Sequence, residues 1–233
     1  MKKIVKYVPF VTVLLFMINF IITFVDFKSA SVFSSTVDGF GKMDIICNFS
    51  HVDWDHFLRN MATLLSIGAP MEILLSLRKK RRVYAAILLA SVVGVSVLNE
   101  LFNSNVVGAS GWLAAFPVIA MPIVCWFVGT AKGNGKDIVT HPAWILGAYP
   151  LLHTIVGLHW DITKLQSGDG IAHDVHLMGY GVGAALFAIT APFVINAWVR
   201  KFARMRTHKQ YIAARRAELR RKMAAQQAAA MAA

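Results

Sequence analysis

Apolar positions along this chain come in unbroken blocks rather than in stripes. Six blocks stand out, at 8–26, 56–77, 83–102, 106–129, 142–158 and 174–199. Each is near the ~20 residues that carry an α-helix across a bilayer, where hydrocarbon offers no partner to a backbone N–H or C=O and the segment must satisfy its own. Polar residues fall inside the second and sixth blocks, and the fifth is short. Lys2, Lys3 and Lys6 precede the first block in the manner of a signal peptide, but no small-x-small cleavage site follows, so the block reads as a retained helix. The expectation is an all-α polytopic membrane protein, a bundle of six transmembrane helices.

Composition agrees with the bilayer as solvent. Hydrophobic residues make up 57% and charged residues only 15% of the chain, against about a quarter charged in an ordinary soluble domain. The net charge of +12 raises the question of nucleic acid, and its distribution answers it. Lys and Arg number 3 before the first block, 5 at positions 78–82, 2 between 130 and 141 and 10 after residue 199. Lys28, Lys42, Arg59 and Lys164 fall on the other side. This asymmetry puts both termini in the cytoplasm and makes the charge a topology signal, with no nucleic acid implied. Residues 1–199 form the membrane domain, and 200–233 a basic cytoplasmic tail suited equally to anionic headgroups or to plain solvation. The plasma or inner membrane of a prokaryote is the expected location. Cys47 and Cys125, in a loop and an apolar block, suggest neither a disulfide nor a thiolate metal site.

Polar groups within such helices are expensive, which makes each a functional candidate. Gly108-Ala109-Ser110-Gly111 lies at the outward end of the fourth block. Its glycines permit close backbone approach, and a serine at a helix N-terminus sits beside free N–H groups able to stabilise an oxyanion. His173-Asp174-Val175-His176 opens the sixth block, also outward, with Gly179 and Gly183 at i+3 and i+7 from His176. Those small residues allow close approach of another helix, bringing Ser110 and His176 to one depth. Histidine titrates near neutrality and is the usual base for a serine nucleophile. His56 and Asn60, at i and i+4 near the outward start of the second block, share a face and supply donors of the oxyanion-binding kind. Glu72, four residues after Gly68 and deeper in that block, reads as structural.

The ordered set H-x-x-x-N (His56, Asn60), G-x-x-x-E (Gly68, Glu72), G-x-S-G (Gly108 to Gly111) and H-x-x-G-x-x-x-G (His176, Gly179, Gly183) resembles the rhomboid family of intramembrane serine proteases over residues 8–199. The resemblance implies a rhomboid-like bundle and a Ser–His dyad without an acid. In it Ser110 is the nucleophile, His176 the general base, and His56, Asn60 and the Ser110 N–H hold the oxyanion with Gly108 beside them. It implies single-span membrane proteins as substrates, cut where their helix unwinds, and no metal or cofactor. It also implies a long first loop lying partly in the membrane, and a lid made of the fifth helix and residues 159–173, with Gly168 and Gly170. Two features depart from the family: Ala114 stands where many members place an aromatic ring against the histidine, and the first-loop Trp-Arg pair is missing, with Trp54 nearby.

Three other readings compete. A proteolytically silent rhomboid-fold protein that binds membrane clients would usually lack the serine or histidine, and both are present. A transporter would carry its polar groups at the midplane. A metal protease drawing on His153, His173 and His176 would lack the H-E-x-x-H pair.

Overall fold

The computed structural model describes residues 7–29, 48–51, 53–102, 108–131, 140–166 and 173–232. Most of the first loop, Cys47, residues 106 and 107, and Gly168 and Gly170 of the predicted lid lie outside them. The described residues form six helices and no strand: α1 (Phe10–Ser29), α2 (Trp54–Leu77), α3 (Arg81–Leu101), α4 (Ser110–Thr130), α5 (Ala143–Lys164) and α6 (His173–Ala232). Four are long and apolar enough to cross a membrane, namely α2, α3, α4 and the first part of α6; Phe10–Val25 is a shorter apolar helix.

Helix α1 is inside out by the standard of a soluble protein. On α1 the buried face carries Thr12, Asn19 and Thr23, while Val13, Leu14, Met17, Ile21 and Phe24 are exposed. A lipid-facing surface requires this arrangement, since apolar side chains lose nothing by facing hydrocarbon and polar ones must turn inward to find partners.

One such set of partners ties α1, α2 and α3 together. Glu72 is wholly buried; its Oε2 accepts from the Thr12 amide at 2.8 Å and the Thr12 hydroxyl at 2.9 Å, and its Oε1 from the Val11 amide at 3.1 Å. The two amides belong to the first turn of α1, which has no intrahelical acceptors, so the carboxylate caps that helix from across the bundle. Arg81 neutralises it, with Nε 3.1 Å from Oε1, and reaches on to the Val8 carbonyl at 2.8 Å.

Within α2 the turn Leu64–Gly68 is π-helical, and the Ala69 amide bonds back to Leu64 rather than to Leu65. Pro70 follows and brings no N–H, a local cause for the widened turn. The bulge sets Gly68 beneath the Tyr84 hydroxyl and the Phe116 ring, where an added Cβ would lie 2.9 Å and 3.2 Å from them.

Helix α4 is the centre of the bundle. Gly111 to Pro117 are all buried, as expected of a helix apolar on every side. Its last carbonyls are met by cations, Lys201 Nζ at 2.9 Å from Val128 O and Arg78 at 3.2 Å from Phe127 O, which satisfies the orphan acceptors and suits the helix dipole. Against α4 runs α6, close enough for backbone to meet backbone. A Cβ on Gly179 would overlap the Gly111 carbonyl oxygen, and one on Gly183 would lie 2.8 Å from the Ala115 carbonyl.

Two elements extend past their predicted ends. Helix α5 continues through Asp161 to Lys164, and its lower apolar faces (Ile145, Leu152, Ile155) are exposed. Helix α6 passes residue 199 without a break and runs 60 residues, about 90 Å at 1.5 Å per residue. After Pro192 the chain has neither Gly nor Pro and is rich in Ala, Arg, Lys and Gln, all strong helix formers.

The α4–α6 contact admits no side chain at Gly179, whereas nothing lies within 4 Å of a Cβ on Gly181. Gly179→Val is therefore expected to cost about 3 kcal/mol or to prevent folding, and Gly181→Ala to leave stability unchanged or raise it by about 0.5–1 kcal/mol. Thermal unfolding of both variants in detergent checks the contrast.

Candidate active site

Ser110 is the first residue of α4 and is partly exposed. The first intrahelical bond of α4 runs from the Leu113 amide to Ala109 O at 3.0 Å, so the amides of Ser110, Gly111 and Trp112 have no acceptor within the helix. The chain enters this turn through Gly108, whose φ of +131° lies where side chains are rarely tolerated. Absence of a side chain serves a second purpose there. The His56 ring fills the space, and a Cβ on Gly108 would come within 2.6 Å of its Cε1 and 3.0 Å of its Nε2.

His56 is placed by the start of α2. Asp53 is its N-cap, accepting from the His56 amide at 2.7 Å. Asn60 follows one turn later, buried, and its Nδ2 has no hydrogen-bond partner among the described residues. A buried amide donor without an acceptor is costly unless something arrives to accept from it.

Behind His56 stands His51, from the end of the first loop, with ring centroids 5.1 Å apart and planes at 74°. The loop end is fixed in the bundle, since Trp112 Nε1 donates to Asn48 O at 2.9 Å and Asn48 Nδ2 to Ser96 Oγ at 2.9 Å. His51 Nδ1 lies 2.9 Å from Thr23 Oγ1 of α1, and Nε2 has no partner among the described residues. Burial first, then the neighbouring His56, push the His51 ring down to about 3, against weaker opposition from the Phe49 carbonyl and Asp53.

His176 comes from the first turns of α6. Gly111 packs on Val175, the residue before it, and Gly179 on Gly111, so the turn bearing His176 lies at the level of Ser110. The ring is near enough to His56 for the two to interact electrostatically. No hydrogen bond joins Ser110 to His176 among the described residues. The His176 Nδ1 is instead 2.9 Å from Oδ1 of Asp161, and the same oxygen lies 2.6 Å from His173 Nδ1. Asp161 is buried in the last turns of α5, beside Tyr180. The three ligand atoms fall within 4.8 Å of one another, a donor set of metal-binding composition. The arrangement equally satisfies one carboxylate oxygen accepting from two ring N–H groups.

Of the residues singled out in the sequence, His56 lies against Gly108 and within electrostatic reach of His176, with Ser110 two residues after Gly108 and Asn60 one turn below His56. Gly179 and Gly183 form the seat of α6 on α4. Glu72 is remote, 12 residues or about 18 Å along α2 from Asn60. The sequence motifs include neither Asp161 nor His51. The signal for Asp161 is a lone carboxylate directly following an apolar block, which is costly at that depth unless it has a partner.

Two outcomes follow. Gly108→Ala combines backbone strain with overlap on His56 and should cost about 1–3 kcal/mol in unfolding experiments. For His51, a folded-state pKa below the ordinary 6.5 means that the neutral ring's contribution is full above pH 6.5 and is lost as pH falls toward 3. Stability measured from pH 7 to pH 4 should decline less steeply in His51→Phe than in the unmodified protein.

A family model described as the Rhomboid domain matches residues 44–193, well over half of the chain and all of the cluster just described. No curated protein and no solved structure matches it.

Proposed function

The chain belongs to the rhomboid family, whose members are in general intramembrane proteases, and from that membership we propose that it is an intramembrane serine endopeptidase acting through Ser110 and His176. The observation that carries this reading is the backbone contact of Gly111 with Gly179, joined by the packing of the Val175 side chain on Gly111, which sets the α4 N-terminus against the α6 turn that holds the histidine.

In the proposed reaction the Ser110 hydroxyl attacks the scissile carbonyl while His176 takes its proton. The oxyanion accepts from the Ser110 amide, from His56 and from Asn60, whose unpartnered Nδ2 is the kind of donor this role needs. Collapse breaks the C–N bond, and His176 passes its proton to the departing amine. Water, deprotonated by His176, then releases the acyl group and restores the serine. No metal or organic cofactor takes part.

Substrates are transmembrane segments of other membrane proteins, entering near the outer face. The Lys and Arg distribution supports cytoplasmic termini, and a prokaryotic plasma or inner membrane is the location proposed. Residues 1–199 are the catalytic membrane domain. The tail 200–233, helical through Ala232 and densely basic, is suited to anionic headgroups.

A fluorescent fluorophosphonate, which reacts with serines made nucleophilic by their surroundings, tests the assignment on purified protein in detergent or lipid. Unmodified protein should label, Ser110→Ala and His176→Ala should not, and loss of the His56 or Asn60 donor should slow peptide cleavage by about 10²–10³-fold. A folded protein that stays unlabelled, or Ser110→Ala that labels, would sink the reading in favour of a client-binding role.

A further inference from the structure

Rhomboid-type chemistry needs only a serine and a histidine, but a histidine acts as a base only if one ring nitrogen is free to accept and is held toward the nucleophile. Here the aromatic ring expected beside the base is replaced by Ala114, a small residue buried against Gly179. Ala114 cannot orient an imidazole.

Another group is in place to do so. Asp161 reaches His176 from α5, its Oδ1 2.9 Å from Nδ1, and it does so from a buried position where water competes poorly for the bond. The same oxygen is held from the other side by the buried His173 at 2.6 Å. Tyr180 and His153 complete the surroundings, each within electrostatic reach of the carboxylate.

We propose that Asp161 is a positioning residue for the base, so that this chain works as a Ser110–His176–Asp161 relay held together by α4, α6 and α5. The inference rests on the protease reading above. Asp161 accepts from Nδ1–H of His176, which fixes the tautomer with Nε2 unprotonated and available to Ser110. When Nε2 takes the serine proton, the carboxylate faces the resulting imidazolium and stabilises it without itself being protonated. The proton then leaves with the amine product, and the Asp161–His176 bond is unchanged through the cycle. His173 keeps the carboxylate from rotating away, and makes no contribution to the proton count.

The test compares Asp161→Asn, close in shape but neutral, with unmodified protein of equal folded fraction, using a transmembrane peptide substrate and the fluorophosphonate. The expected result is a fall in kcat of about 10²-fold or more with KM changed less than about threefold, and a labelling rate reduced in parallel. A merely structural role would move melting temperature and leave this split absent. Unmodified protein that acts while Asp161→Asn matches it overturns the Asp161 assignment alone; unmodified protein that neither labels nor cleaves overturns the protease reading and this one with it. Added Zn²⁺ that inhibits unmodified protein but not an equally active Asp161→Asn assigns the cluster to a cation, which also overturns the proposal. Should Asp161→Asn fail to fold, proton NMR of unmodified protein decides. A strongly deshielded imidazole N–H proton that disappears in His176→Ala supports the relay, and its absence overturns it.

Discussion

The backbone-to-backbone approach of α4 and α6 is the constraint on which the rest depends. Lipid gives helices no hydrophobic reason to associate, so association has to come from close packing and from polar pairing. Gly179 against the Gly111 carbonyl and Gly183 against that of Ala115 supply the first by omitting side chains altogether. Because the two contacts are one helical repeat apart, they fix both rotation and height of α6 on α4. The register of His176 with Ser110 is a consequence of that seat and needs no direct bond between the two side chains.

Polar pairing supplies the second. Glu72 with Thr12, Val11 and Arg81 joins three helices near one end of the bundle, and Asp161 with His173 and His176 joins two near the other. In hydrocarbon each of these groups would be prohibitively exposed alone, so each pairing specifies which helix lies where. Helix α4 itself contributes almost no polar side chains and is enclosed. Its free ends are the exceptions: the Ser110 end offers amides without helical acceptors, and the Thr130 end is closed by Lys201 and Arg78.

Much of this was legible in the sequence, for physical reasons that differ by feature. Blocks of apolar residues announce helices because the bilayer imposes a length, and His176, Gly179 and Gly183 announce a close-packed face because small residues at helical spacing have few other uses in lipid. What was not legible are contacts between residues distant along the chain whose types carry no periodic signal. Asp161 lies 15 residues before His176, within a stretch that reads as a loop and folds as the end of α5. The partner of Glu72 is likewise hidden, since an N-terminal helix turn shows no acceptor-seeking amides in its sequence. The π-turn before Pro70 was equally silent, because a proline predicts that a bond is lost but not how the neighbouring turn closes around it.

On the proposed reading, the tolerance of Ala114 follows from how His176 is held. A ring packed on an imidazole limits its tilt but leaves its tautomer open, whereas a carboxylate at Nδ1 sets both the tilt and the proton's position. The two devices are alternatives, and a chain with the second has no need of the first. The carboxylate carries a requirement of its own, since a charge at that depth must keep its donors at all times. Two histidines on one oxygen meet that requirement, with His173 at 2.6 Å and His176 at 2.9 Å from the same carboxylate oxygen.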